Sequence, residues 1–253
     1  MKKIIIISLS LLVLITVGCT SSPNLESYPE RHVDRPYTLP DDVATWRTTV
    51  NVNRVDDGSD YTGLSVYPLL WEQALNDKWT LEYSPLPLGV RYQIAKTNWN
   101  IWGVRAGTGI GYSSLSGTIF QPQISLYHRY KMASSYAWES TVLYSTVFRS
   151  NRDRDQWENT ILSTGPMFQL SDNKVLLPKI GFGLFRNELA GFEDYENFTG
   201  DDDLSFYMPA SLNFKWLFDR QWEYTIGYRV NSLFRERNRF AVHTVNSSII
   251  HYW

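Results

Sequence analysis

From about residue 43 to the end of the chain, apolar and polar residues alternate with a period of two. That period places successive side chains on opposite faces of an extended strand, which a helix cannot match. Ala44, Trp46, Thr48, Val50 and Val52 share one face of the first stretch, and Thr45, Arg47, Thr49, Asn51 and Asn53 share the other. The same reading predicts strands near 61–72, 79–84, 86–95, 98–112, 117–130, 136–149, 157–170, 175–186, 204–218, 221–234 and 239–253. Twelve strands leave about 17 to 18 residues for each strand and its connection, enough for the 9 to 11 tilted residues of a membrane strand. Ten or fourteen strands stay open, because residues 69–101 can pair in more than one way.

Strand length and the placement of aromatics separate a membrane barrel from a soluble sandwich. The later strands reach 13 to 15 residues, against about 5 to 6 in an ordinary sheet. Trp46, Trp102, Tyr130, Trp138, Phe168, Trp216, Phe218 and Trp222 gather toward the tight connections near 131–135, 171–174 and 219–220, while Tyr112, Phe120, Phe148, Phe206, Phe234 and Phe240 gather toward the opposite end. Between the bands lie Val104, Ala106, Ile124, Val142, Leu162, Ile180, Ala210, Leu212 and Ile226. Two aromatic girdles around an apolar belt are what a lipid-facing wall requires. The expected fold is therefore all-β, a closed antiparallel transmembrane barrel over residues 43–253, with a tethered soluble sandwich as the alternative. Pro122, Pro166, Pro178 and Pro209 fall inside these strands, where each removes a ladder donor, so bulges, or other strand boundaries, are expected there.

The N-terminus reads as an export signal. Lys2 and Lys3 precede an apolar run from Ile4 to Val17, about 14 residues and too short to span a bilayer as a helix. Leu14, Ile15, Thr16, Val17, Gly18 and Cys19 resemble the lipobox of bacterial lipoproteins, with Thr16 where Leu is commoner. The resemblance implies cleavage after residue 18 and acylation of Cys19. No Asp follows Cys19, which by the same resemblance implies the outer membrane of a Gram-negative bacterium, with the lipid anchor in the periplasmic leaflet. Residues 19–42 hold Pro23, Pro29, Pro36 and Pro40 without apolar period and read as a flexible tether. The run PLGVRYQIAKTNW, from Pro87 to Trp99, resembles a strand, turn, strand segment of transporter-type outer-membrane barrels, and the terminal Tyr252 and Trp253 resemble the aromatic end that such barrels present to the barrel assembly machinery.

The polar face of the strands carries Arg47, Arg91, Arg105, Arg129, Arg149, Lys179, Lys215 and Arg229 as cations, and Glu82, Glu139 and Glu223 as anions. A lumen so lined favours small anionic solutes. The other reading of the same residues is a network that fills and stiffens a narrow, non-conducting barrel of structural or adhesive role. Gly103, Gly107, Gly109 and Gly111 recur on one inward face and read as space for opposing side chains or as local bending. No enzyme is expected: His32 lies in the tether, His128, His243 and His251 have no nucleophile or carboxylate at a recognisable spacing, and GxSxG and HExxH are absent. A hydrolase assembled at the barrel rim from separate strands is the remaining catalytic alternative. With 24 Lys and Arg against 26 Asp and Glu, nucleic acid is not an expected partner, and no cofactor or metal set is legible. Asp56, Asp57, Asp60, Glu193, Asp194, Glu196, Asp201, Asp202 and Asp203 form acidic loops, read as solvated or as meeting lipopolysaccharide through divalent ions.

Overall fold

The computed structural model describes residues 25–56, 62–83, 88–113, 117–149, 156–187, 204–231 and 241–253. Thirteen strand segments run in chain order: β1 (Ala44–Asp56), β2 (Thr62–Asn76), β3 (Trp79–Tyr83), β4 (Leu88–Lys96), β5 (Asn100–Ser113), β6 (Gly117–Ala133), β7 (Tyr136–Arg149), β8 (Gln156–Ser171), β9 (Lys174–Asn187), β10 (Leu204–Tyr207), β11 (Ala210–Asp219), β12 (Trp222–Val230) and β13 (Ala241–Tyr252). Leu204 on β10 pairs with Arg186, and Ala210 on β11 pairs with Ile180, so both segments follow one register along β9. They are two halves of one barrel strand, parted at Met208 and Pro209. Each strand pairs antiparallel with its neighbour in sequence, and β13 returns to β1 from Thr45 opposite Tyr252 to Asp56 opposite Ala241. The result is a closed barrel of twelve antiparallel strands. Among the described residues no helix is long and apolar enough to cross a membrane.

The residues between 69 and 101 take one pairing, with Trp71 opposite Tyr83, Leu81 opposite Val90 and Arg91 opposite Arg105. The prolines sit where the ladder is already broken. The β8 to β9 ladder stops after Thr164 opposite Ile180 and resumes at Phe168 opposite Leu176, which sets Pro166 against Pro178 in the gap. Two residues without N–H thus share one interruption. Gly165 lets the strands close there, since a Cβ on it would lie 2.1 Å from the Pro178 carbonyl oxygen. Pro122 falls in a second gap, between Phe120 opposite Phe148 and Gln123 opposite Ser145.

The outer wall is apolar. Ile124, Val142, Leu162, Ile180, Leu212 and Ile226 are exposed, although each is large and hydrophobic, and a protein in water would bury them. Trp79, Trp99, Trp102, Tyr130, Phe168, Trp216 and Phe218 are exposed near the end with the tight turns. Toward the other end Phe120 meets Phe148 at 6.3 Å and Phe182 meets Phe206 at 5.7 Å. The Tyr112 side chain and all of Phe234 and Phe240 lie outside the described residues. Connections of two or three residues join β2 to β3, β4 to β5, β6 to β7, β8 to β9 and β11 to β12, and both ends of the barrel sequence, Ala44 and Trp253, meet at that same end. In outer-membrane barrels this is the periplasmic mouth.

Candidate functional site: the lumen and its plug

Inside the barrel, near the tight-turn mouth, four carboxylates collect the cations. Glu139 receives Arg129 Nη2 at 2.8 Å and Lys179 Nζ at 2.9 Å. Arg91 and Arg105 stand directly opposite each other on β4 and β5, an arrangement that repels. Glu82 relieves it by taking Arg105 Nε at 2.6 Å and lying 2.9 Å from Arg91 Nε. Gly89 makes room for that carboxylate, because a Cβ there would sit 2.9 Å from Glu82 Oε2. Arg91 also reaches Glu72 at 2.6 Å, with Arg47 at 3.8 Å from the same side chain. Glu223 is fully buried and accepts from Arg35 at 2.5 Å and Tyr252 at 3.0 Å, with Lys215 at 3.4 Å.

Arg35 belongs to the segment that the sequence reads as a tether, and that reading is corrected here from Leu25 onward. Residues 25–42 enter the lumen at the tight-turn mouth and cross it. They form two short 3₁₀ turns, Leu25–Ser27 and His32–Asp34, linked by bends at 28, 30–31 and 37–38 and closed by a turn at Asp41 and Asp42, with prolines that forbid a continuous helix. A chain without a ladder must find partners elsewhere for its backbone, and this one finds them on walls all round the barrel. Val33 N donates to Gln169 on β8, Tyr37 N to Gln93 on β4 and Leu39 N to Thr80 on β3. The carbonyls of His32 and Arg35 each accept from Arg129 Nη1 at 2.8 Å, and the Tyr37 carbonyl accepts from Arg91. Asp34 pairs with Lys131, and Glu30 with Arg220 at 2.8 Å.

Three apolar anchors fix the plug. Leu25, Leu39 and Val43 pack with Ala74, Leu217, Ile250 and Tyr252 on one side of the mouth. Val33, 1% exposed, packs with Ala137, Met167, Val175 and Leu177 on the other. The Tyr37 ring stacks on Tyr127 at 4.6 Å and lies over Gly103, where a Cβ would come within 2.1 Å of it. The space expected at Gly103 is therefore filled by the plug. Asp42, with φ of 61°, turns the chain into β1 in a left-handed conformation that Asp tolerates better than most residues.

His32 is the plug's histidine. Its Nε2 lies 3.0 Å from Glu223 Oε2, while the buried Nδ1 has no partner among the described residues. The neutral imidazole that donates from Nε2 fits this arrangement. Burial, and after it the neighbouring Arg35 charge, lowers its pKa to about 4, with the Glu223 contact opposing.

Two adjoining cavities lie in the lumen. The one beside the plug, about 430 Å³, is lined by Arg35, Arg47, Arg91, Arg129, Lys179 and Lys215 against Glu72, Glu139 and Glu223. The other, about 770 Å³ and further from the tight-turn mouth, is lined by Lys179 and Arg229 with Asn, Ser and Thr side chains and a few apolar ones, Leu143, Ile161 and Val242 among them, and among the described residues by no carboxylate. Lys179 and Asn213 line both.

Of the residues read as lumen-facing, Arg47, Arg91, Arg105, Arg129, Lys179, Lys215, Glu82, Glu139 and Glu223 meet in the charged network, and Arg229 stands apart in the larger cavity. The Arg149 side chain lies outside the described residues, as do Cys19, Met1–Gly18 and, among the acidic loop residues, Asp57, Asp60, Glu193, Asp194, Glu196 and Asp201–Asp203. Glu72, Arg35 and His32 were missed. Glu72 is the last residue of the second strand as read, 61–72, which β2 overruns to Asn76, and the other two were given to the tether.

No family model and no curated protein matches the chain. Among solved structures, a COG4313 outer membrane channel from Pseudomonas putida F1 superposes with a TM-score of 0.62 at 14% identity, over 92% of this chain and 100% of its own. The NanC porin, at 12% identity over 81% of this chain and 98% of its own, gives a TM-score of 0.47. The first of these likenesses, together with the apolar outer wall and its aromatic bands, shows that the chain has the fold of an outer-membrane β-barrel.

Proposed function

We propose that the protein is an outer-membrane channel for small anionic solutes, held shut at its periplasmic mouth by its own residues 25–42. The observation that carries this reading is the excess of cations over carboxylates lining both cavities. Low-dielectric walls focus that excess, so anions are drawn in and cations repelled. In planar bilayers under a salt gradient, channels opened by displacing the plug are expected to show a reversal potential of anionic sign, and Arg229→Ser should weaken it. Arg229 suits this test because it holds neither the plug nor, among the described residues, an ion-pair partner. Cation selectivity would overturn the reading.

A second reading has its own support. Glu72, Glu82, Glu139 and Glu223 are each paired and the plug is bonded to walls on all sides, as in a filled structural barrel. Absence of conductance after the plug is removed would favour it, and the acidic loops would then be the surface that meets lipopolysaccharide or another protein.

We also infer that Cys19 carries a lipid. It lies six residues before Leu25, a distance of at most about 20 Å in extended chain. An anchor there keeps the plug beside the mouth it closes, which supplies a reason for a barrel to be lipidated at all. Mass spectrometry of the mature N-terminus is expected to find an acylated Cys19, and an unmodified one would sink this inference while leaving the channel reading intact.

A further inference from the structure

We propose that the larger cavity holds a binding site for a small carboxylate that also carries hydroxyl groups. The proposal rests on the channel reading and goes beyond it by naming a solute class. One inward row crosses five neighbouring strands: Lys179 on β9 stands opposite Ser211, Ser211 opposite Arg229, Arg229 opposite Thr244, and Thr244 opposite Asn53. Neighbouring strands are about 4.8 Å apart, so the two cations flank a single hydroxyl at a spacing both side chains can span. Among the described residues no carboxylate lies within ion-pair distance of Arg229, whereas Lys179 is shared with Glu139 at 2.9 Å. The row thus offers one guanidinium free for an oxyanion and one partly neutralised ammonium, which matches one negative charge better than two. A guanidinium presents a planar fork that a carboxylate fills with two parallel hydrogen bonds.

The next row toward the mouth supplies a different chemistry. Asn213 stands opposite Gly227, Gly227 opposite Asn246, and Asn246 opposite Asn51. A Cβ on Gly227 would fall 2.1 Å from Asn213 Oδ1 and 2.4 Å from Asn246 Oδ1. The missing side chain therefore lets two amides lean over the same backbone position. Amides both donate and accept, as hydroxyl groups require, while a bare inorganic anion uses donors alone. A cationic row beside an amide row is a match for a molecule with a carboxylate at one end and hydroxyls along its body. The cavity, at about 770 Å³, lies within the usual range for a small-molecule site.

Calorimetric titration of the full-length protein in detergent tests this, with gluconate as probe and acetate, inorganic phosphate and glucose as comparisons. Gluconate is expected to bind saturably, and the three comparison compounds more weakly by about tenfold or more, since each lacks one set of contacts. Arg229→Gln should weaken gluconate by about tenfold or more. Asn246→Ala should weaken gluconate and leave acetate unchanged, which a general loss of folding would not do. Acetate or phosphate binding as tightly as gluconate would overturn the recognition of hydroxyls, and no binding, or full binding by Arg229→Gln, would overturn the site. Either failure leaves the bilayer selectivity of the unplugged channel unaffected, whereas cation selectivity there would remove the channel reading itself.

Discussion

Deleting residues 25–42 raises the conductance of the reconstituted barrel by about tenfold or more, if the plug closes a pore that is otherwise continuous. Single substitutions should move in the same direction for separable reasons. Val33→Asp removes an apolar side chain whose burial contributes about 1.5 to 3 kcal/mol and sets a carboxylate among Ala137, Met167, Val175 and Leu177. Gly103→Val places a branched side chain where the Tyr37 ring now lies, which must leave its stack on Tyr127. Neither change touches the outer wall, so both variants should insert as the wild type does. Single-channel recording in planar bilayers checks all three. Unchanged, negligible conductance after the deletion would mean that the Arg and Glu side chains occlude the lumen without the plug.

The barrel was legible because its signal is local and repeated. Each strand shows its two faces in its own sequence, and antiparallel neighbours inherit their register from short turns. Residues 204–218 read as one strand, and the common register of β10 and β11 along β9 bears this out, with Pro209 as the disturbance inside it. The plug was illegible for the complementary reason. Its backbone has no periodic partner, so the side chains follow neither 2.0 nor 3.6 spacing, and prolines with scattered charge look the same in a tether as in a chain bonded from outside. The contacts that fix it are remote: Arg35 and His32 meet Glu223 across 188 and 191 residues of sequence. Tyr37 and Gly103 each had a visible anomaly, an aromatic in a polar segment and a glycine in a strand, but nothing in the chain pairs them.

The network's charges also had to be seen together. Read strand by strand, the inward cations suggest a strongly positive lumen. In the fold, Glu72 joins Glu82, Glu139 and Glu223, so four carboxylates face Arg35, Arg47, Arg91, Arg105, Arg129, Lys179 and Lys215, and the positive surplus at the mouth is smaller than that reading suggests. Buried pairs of this kind contribute little net stability, because desolvation offsets attraction, yet removing one partner leaves a charge uncompensated. They fix which plug geometry is allowed more than they tighten it. Further in, Arg229 adds a cation that has no ion-pair partner among the described residues, beside Lys179.

Acidification should loosen the plug, and His32 sets the window. Docked, the imidazole is held neutral with its pKa at about 4; undocked in water it returns to about 6.5. A plug that releases therefore takes up a proton that the docked one refuses. Docking is strongest above pH 6.5, weakens as pH falls from there toward 4, and gains no further loss from His32 below that. The full difference amounts to roughly 3 kcal/mol. The groups around the ring decide its sign. Glu223 favours the imidazolium, but Arg35 and Lys215 oppose it, the Tyr252 hydroxyl competes for the same carboxylate, the Arg129 guanidinium sits on the His32 carbonyl, and a proton on Nδ1 would have no acceptor. Open probability in bilayers is expected to rise between pH 6.5 and 4.5, and His32→Gln, which keeps a donor toward Glu223 and cannot titrate, should flatten that rise. Tighter closure in acid would show instead that the docked ring is protonated, with the Glu223 attraction outweighing burial and Arg35.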